Sequence, residues 1–171
     1  GRFTYSYDAL QRIARVLNPE GNRSSYAYDT ANRRTANLLA NGTRTSYSYD
    51  NADQLTAIAN IKNSTTYISR YDYRYDAAGN RTRVLESNGS LVTWSYDSLS
   101  QLTGNHRSGV HPFRSTFTYD PNGNRILKNS DGTRSTMAYD PANQVTYCAA
   151  PTGGSTYLFH TSGTLPVVLN P

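Results

Sequence analysis

Three histidines, one cysteine and one run of aspartate and asparagine are the side chains of this sequence whose types suit catalysis or metal binding. His106, His111 and His160 are general-base or ligand candidates, but with a single cysteine in the chain their spacing completes no metal-ligand motif. No Ser–His–Asp set can be singled out among so many serines and aspartates, and the three read as solvated or loop histidines. Cys148 is alone, which excludes a disulfide framework or a cysteine metal site within one chain. No nucleophile signature surrounds it, and it reads as a small, partly buried thiol. Asp120, Asn122 and Asn124 alternate like the opening of a calcium loop, with Asp131 at its twelfth position. Arg125 stands where that loop requires glycine, and its guanidinium repels a cation. The chain is therefore expected to carry no catalytic residue, no metal and no cofactor.

Binding chemistry is better represented. Tyr71, Tyr73, Tyr75, Trp94 and Tyr96 are aromatic residues interleaved with Asp, Asn and Arg. An exposed stripe of that kind suits stacking on sugar rings and recognition of hydroxyls, so these five are the candidate glycan-binding residues. The competing account is packing, because an aromatic ring that returns in every unit of an array is what the array needs to hold together. Trp94, the one tryptophan, marks where the pattern departs from tyrosine.

The elements that position these residues come from a repeat. Tyr75-Asp76-Ala77-Ala78-Gly79-Asn80-Arg81 returns as Tyr119-Asp120-Pro121-Asn122-Gly123-Asn124-Arg125, and looser Tyr-Asp copies begin at Tyr7, Tyr28, Tyr49, Tyr96 and Tyr139. Successive copies start 20 to 26 residues apart, the scale of a repeat array. Before each Asp, aromatic and small polar residues alternate with the period of two expected of a half-buried strand, as in Phe3, Tyr5 and Tyr7. Asp then opens a turn, since its carboxylate can accept from backbone N–H groups just ahead, and a shorter strand returns. Asn18 to Asn22, Asn41-Gly42, Asn88-Gly89 and Asp131-Gly132 read as the turns between units. Gly104 to Pro112 breaks the rhythm and reads as a loop holding His106 and His111. No window repeats apolar residues at helical spacing. The expected fold is all-β: some fourteen short strands in consecutive antiparallel hairpins, forming a curved or spiralling meander sheet. The repeats span residues 1–147 in about seven units, and residues 148–171 are a degenerate last unit and tail, with His160 standing where the next Asp belongs.

Composition agrees. The 171 residues include 15 Tyr but are only 36% hydrophobic, with a mean hydropathy of −0.69. Tyrosine must therefore supply much of the packing, its ring buried and its hydroxyl reaching a polar partner. The net charge of +5 comes from 17 basic residues, of which only Lys62 and Lys128 are lysines. The arginines are scattered one or two per unit, which suits stacking on tyrosine and pairing with the repeat Asp rather than a nucleic-acid surface. No apolar run approaches the length of a membrane-spanning helix. The N-terminus lacks the pattern of a signal peptide and starts within a strand-like pattern, as if cut from a longer chain.

Repeated aromatic-x-Tyr-Asp-x-x-Gly-Asn-Arg, with Asn-Gly turns between, resembles the YD-repeat or RHS-repeat family over about residues 3 to 147. Its members include bacterial Rhs polymorphic toxins, the C component of Tc toxin complexes, cell-wall-associated bacterial proteins and animal teneurins. The resemblance implies a β-ribbon that spirals into a hollow shell around a toxin domain, or a cell-surface barrel in teneurins. The absence of cysteine-rich flanks favours the bacterial side. Such shells use many more repeats than this chain holds. Asp120-Pro121-Asn122-Gly123 superficially matches the family's self-cleavage motif but lies within an ordinary repeat and is given no cleavage role. The expectation is a structural wall segment in an exported bacterial protein, secreted or at the cell surface. Its partners would be the remainder of that protein or an enclosed toxin domain, with glycans or self-association through open sheet edges as the alternative.

Overall fold

The computed structural model describes residues 1–63, 66–150, 153–158 and 167–169, the last two segments through their backbone alone. The described residues are all strand and turn, in two compact units, Gly1–Ser90 and Leu91–Pro171. The first unit holds β1 (Thr4–Tyr7), β2 (Ile13–Leu17), β3 (Arg23–Tyr28), β4 (Arg34–Leu38), β5 (Arg44–Tyr49), β6 (Leu55–Lys62), β7 (Thr66–Tyr75) and β8 (Arg81–Glu86). The second holds β9 (Leu91–Tyr96), β10 (Leu102–Ser108), β11 (Phe113–Tyr119), β12 (Arg125–Ser130), β13 (Thr133–Tyr139), β14 (Val145–Ala150), β15 (Gly153–Leu158) and β16 (Val167–Leu169). Within each unit every strand pairs antiparallel with the next, a meander without crossovers. The two strands beyond the expected fourteen are β15 and β16, past the last Tyr-Asp copy. His160 lies outside the described residues.

One turn is built seven times. Asp8 N–H donates to the Arg12 carbonyl at 2.9 Å, and Gln11 N–H donates back to the Asp8 carbonyl at 3.1 Å. The same pair of bonds recurs from Asp29, Asp50, Asp76, Asp97, Asp120 and Asp140. The fourth residue of each turn takes a positive φ: Gln11, Asn32, Asp53, Gly79, Ser100, Gly123 and Asn143, with φ of 60° to 86°. This is the three-residue hairpin loop closed by a left-handed residue, and in each of the seven hairpins the pairing register shifts by one beside it. The bulge strengthens the local twist.

The opposite strand ends mostly use the same loop. Asn18 to Asn22, Leu39 to Thr43 and Glu86 to Ser90 make the same two backbone bonds. Asn41-Gly42 and Asn88-Gly89 therefore lie inside three-residue loops, where only the glycine has positive φ and the Asn Oδ1 accepts from the N–H two residues on. Asp131-Gly132 alone of these forms a two-residue turn, with φ of 49° and 85° at its centre.

The expected loop at Gly104 to Pro112 is mostly strand. Leu102–Ser108 is β10, and Asn105, His106 and Arg107 pair with both β9 and β11. Neighbouring strands on both sides satisfy the backbone, which outweighs the low strand preference of Gly104 and Asn105. The loop shrinks to the residues around Gly109 and His111, both at positive φ.

Packing is thin. Among the described residues the buried apolar side chains are Ala59, Val84 and Val92, while Phe3, Tyr5, Tyr7, Leu10 and Leu99 are largely exposed. Among the described residues of each unit, strands pack only beside their sheet neighbours, so side chains bury against neighbours along and across strands and most are half-buried.

Candidate functional site: the Tyr–Asp turns and the two sheet faces

Each Asp of the repeat is consumed by its own turn. Asp29 Oδ1 accepts from Ala31 N–H at 3.0 Å and Arg33 N–H at 2.9 Å, and all seven repeat aspartates do the same two and four residues ahead. Where the fifth turn residue has a suitable side chain, it takes Oδ2: Arg12 Nε and Arg33 Nε at 2.7 Å, Asn80 Nδ2 at 3.1 Å and Asn124 Nδ2 at 2.9 Å. Donors surround these carboxylates and hold several below the ordinary Asp range. For Asp8 the Arg12 backbone N–H is the main cause, and for Asp120 the Asn124 side chain. For Asp29 and Asp76 burial pushes upward most strongly, and the combined hydrogen bonds from Arg33 and Asn80 outweigh it.

Neighbouring repeats are tied by two contacts. The tyrosine hydroxyl donates to the carbonyl of the residue five past the preceding repeat's Asp: Tyr28 to Ile13, Tyr49 to Arg34, Tyr75 to Leu55, Tyr119 to Leu102 and Tyr139 to Arg125, at 2.8 to 3.1 Å. The fifth turn residue also reaches forward. Arg12 Nη1 donates to Asn32 Oδ1 at 2.8 Å, Arg33 Nη1 to Asp53 Oδ1 at 2.7 Å, and Asn124 Nδ2 to Asn143 Oδ1 at 2.8 Å. The guanidinium carbons of Arg12 and Arg33 lie 4.5 and 4.9 Å from the ring centres of Tyr28 and Tyr49, so one arginine closes its own turn, ties the next and stacks on its tyrosine. Arg81 and Arg125 stack within their own repeats, 5.7 Å from the ring centres of Tyr73 and Phe117.

Tyr71, Tyr73 and Tyr75 lie along one face of β7, and Trp94 and Tyr96 along one face of β9. All five are half-buried. The Tyr75 hydroxyl is engaged by Leu55, and burial raises the Tyr73 hydroxyl above its usual pKa. On the other face of β7, Arg70 grips Asp72 with Nε and Nη2 at 2.9 and 2.7 Å, which holds Asp72 below its usual pKa. Arg74 and Arg83 stand directly opposite one another there.

The remaining candidates do not converge. Asp120 sits in the turn before β12 and Asp131 in the turn after it, so the residues with calcium-loop spacing lie at opposite ends of a strand. His106 is on β10 and His111 in the loop beyond it, and Cys148 is a half-buried free thiol on β14. Among the described residues no three of His, Cys, Asp and Glu gather where they could hold a metal, and no helix is long and apolar enough to cross a membrane.

Known proteins place this architecture. A crystal structure of a TcdB2–TccC3–Cdc42 assembly superposes with a TM-score of 0.78 at 16% identity over 97% of this chain. A TcdB2–TccC3 structure gives 0.74 at 15% over 96%, and a TcdB2–TccC3–TEV structure 0.71 at 16% over 99%. At such identity these matches establish the fold. The chain spans only 11%, 12% and 13% of the lengths of those chains. No curated protein sequence matches it. Residues 7–38 and 75–109 match the family model described as RHS Repeat, and both matched segments carry the Tyr–Asp turn geometry described above.

Proposed function

We propose that this chain is a wall segment of a larger RHS-type shell, exported by its bacterial host and enclosing or presenting another domain. The observation that carries the proposal is the forward linkage of the repeats. Tyrosine hydroxyls of one repeat are satisfied by the preceding repeat and turn residues by the next, while among the described residues of each unit the strands contact only their sheet neighbours and hardly any apolar side chain is buried. Such an array gains its stability from continuation of the ribbon, as solenoid units gain theirs from stacking. Its short coverage of the matched chains supports the same reading. The role is structural rather than catalytic. The repeat aspartates, the residues most available for acid–base work, are committed to backbone N–H groups.

The glycan platform at Tyr71, Tyr73, Tyr75, Trp94 and Tyr96 stands second, because these residues occupy the positions the repeat uses for packing. Trp94→Ala with a glycan-array readout tests it: saturable binding by the parent chain that the variant loses would favour the platform.

The shell reading is tested in the longer protein. Deletion of residues 1–171 is expected to expose an otherwise protected domain to added protease. Equal protection with and without the segment would sink the proposal.

A further inference from the structure

Gly104 creates a gap in the sheet. Counting seven residues past each repeat Asp, the other units carry Arg15, Ala36, Ala57, Arg83, Leu127 and Tyr147; only the fifth has no side chain. Gly104 lies between Ser95 on β9 and Thr116 on β11. An open dent of about 460 Å³ forms around it, lined among others by Thr93, Ser95, Thr103, His106, Arg114 and Thr116. By strand alternation Thr93, Ser95, Gly104, His106, Arg114 and Thr116 share the face opposite the Trp94–Tyr96 row.

The lining has a definite chemistry. It contains hydroxyls, an imidazole and a guanidinium, and no carboxylate. Thr103 Oγ1 donates to Ser95 Oγ at 3.2 Å, which leaves the Ser95 hydroxyl hydrogen free to donate. His106 and Arg114 are direct cross-strand partners and both are exposed. Side chains so paired lie about 5 Å apart at Cβ, close enough for a ring N–H and a guanidinium to reach one anion together. Asp131, which lines a separate pocket with Arg114 and Thr116, has Oδ1 engaged by the Arg114 backbone N–H at 2.7 Å.

We propose that this dent binds a tetrahedral oxyanion, a phosphate or sulfate group, with Arg114 supplying charge, His106 a ring N–H, and Ser95, Thr93 and Thr116 hydroxyl donors. The number of donors arranged around one gap exceeds what the two oxygens of a carboxylate use, and charge-assisted bonds from a guanidinium supply most of the affinity. A Cβ built on Gly104 would fall 2.5 Å from Ser95 Oγ, so a side chain at 104 pushes into the serine that lines the site.

The test uses the 171-residue chain. Inorganic phosphate, sulfate and a simple phosphate monoester are titrated at constant ionic strength while NMR follows the His106 ring and the Ser95 and Gly104 amides. Saturable shifts confined to these residues are expected, weakened about tenfold or more in Arg114→Gln, as the loss of a charged hydrogen bond requires. Gly104→Ala, which keeps every charge and needs no unusual backbone conformation, should weaken them similarly, while Arg23→Gln on β3 leaves them unchanged. Preference for the monoester assigns the group to a larger ligand, and equal binding assigns a free anion. Linear shifts spread over surface arginines, or saturable binding that survives both Gly104→Ala and Arg114→Gln, would overturn the proposal.

Discussion

Arg33 Nη1 reaches Asp53 Oδ1 at 2.7 Å, although the two residues are 20 apart in sequence and belong to successive turns. The same guanidinium holds Asp29 through Nε at 2.7 Å and the Asp50 carbonyl through Nη1 at 2.8 Å. Asp53 is 75% exposed at its side chain, whereas Arg33 and Asp29 are 25% and 23% exposed. The contact with Asp29 should therefore outweigh the one with Asp53, which water screens.

Substitutions at the two ends of that pair separate these contributions. Arg33→Gln loses the Asp29 bond, the Asp50 carbonyl and the stacking on Tyr49, and should lower the urea midpoint clearly. Asp53→Asn loses one exposed charge and should shift it little. Equal shifts would place the stabilisation in the link between turns rather than within the turn.

The tyrosine clasps predict a contrast between chemically identical changes. Tyr75→Phe removes the hydroxyl that donates to the Leu55 carbonyl at 2.8 Å and should cost about 1 kcal/mol. Tyr5→Phe removes a hydroxyl from a side chain that is 50% exposed, on the first strand, and should cost close to nothing. Chemical denaturation of both variants checks this, and similar costs would remove the clasp as a source of stability.

The positive-φ position of the turn gives a third contrast. Gln11 adopts φ 61° and Gly79 φ 83° at equivalent places. A left-handed conformation costs a residue with a Cβ roughly 1–2 kcal/mol, while the entropy of glycine offsets about half of that. Gln11→Gly should stabilise the chain by roughly 0.5–1 kcal/mol. Gly79→Ala should destabilise it by a comparable amount despite open space around the site, where the nearest atom, Gln54 Nε2, is 3.9 Å from the added Cβ. Thermal melts of the two variants should therefore move in opposite directions.

The sequence made the hairpin order and the turn-opening role of Asp readable, because Tyr-Asp returns at nearly constant spacing and Asp has a strong local preference to accept from N–H groups ahead of it. The common left-handed slot was hidden, since Gln11, Asn32, Asp53, Ser100 and Asn143 share no side-chain signature with Gly79 and Gly123; the count from Asp reveals it. The strand at His106 was masked by Gly104 and Asn105, poor strand formers that pairing on both sides holds in register. The dent at Gly104 follows from the absence of a side chain in a register that the bulges set, and bulge positions are not legible from composition. Tyr71, Tyr73, Tyr75, Trp94 and Tyr96 lie on β7 and β9, as their alternation implies, but the sequence could not show that the Tyr75 hydroxyl is engaged by the neighbouring repeat.

Acid should unfold this array through its turns. Asp8, Asp29, Asp76 and Asp120 in the turns, and Asp72 on β7, sit below the ordinary value of 3.8 in the folded chain. A carboxylate whose pKa is depressed by folding stabilises the fold fully above its unfolded pKa, and that stabilisation is lost as pH falls through the folded value, because the unfolded chain then binds more protons. The urea midpoint should therefore be flat from neutral pH to about 5 and fall steadily below about 4. Asp29→Asn keeps an oxygen for the Ala31 and Arg33 N–H groups but cannot ionise. Its midpoint should start lower at neutral pH and decline less on acidification. A wild-type midpoint unchanged between pH 6 and about pH 2.5 would mean that the turns draw no net stability from the charge of their aspartates.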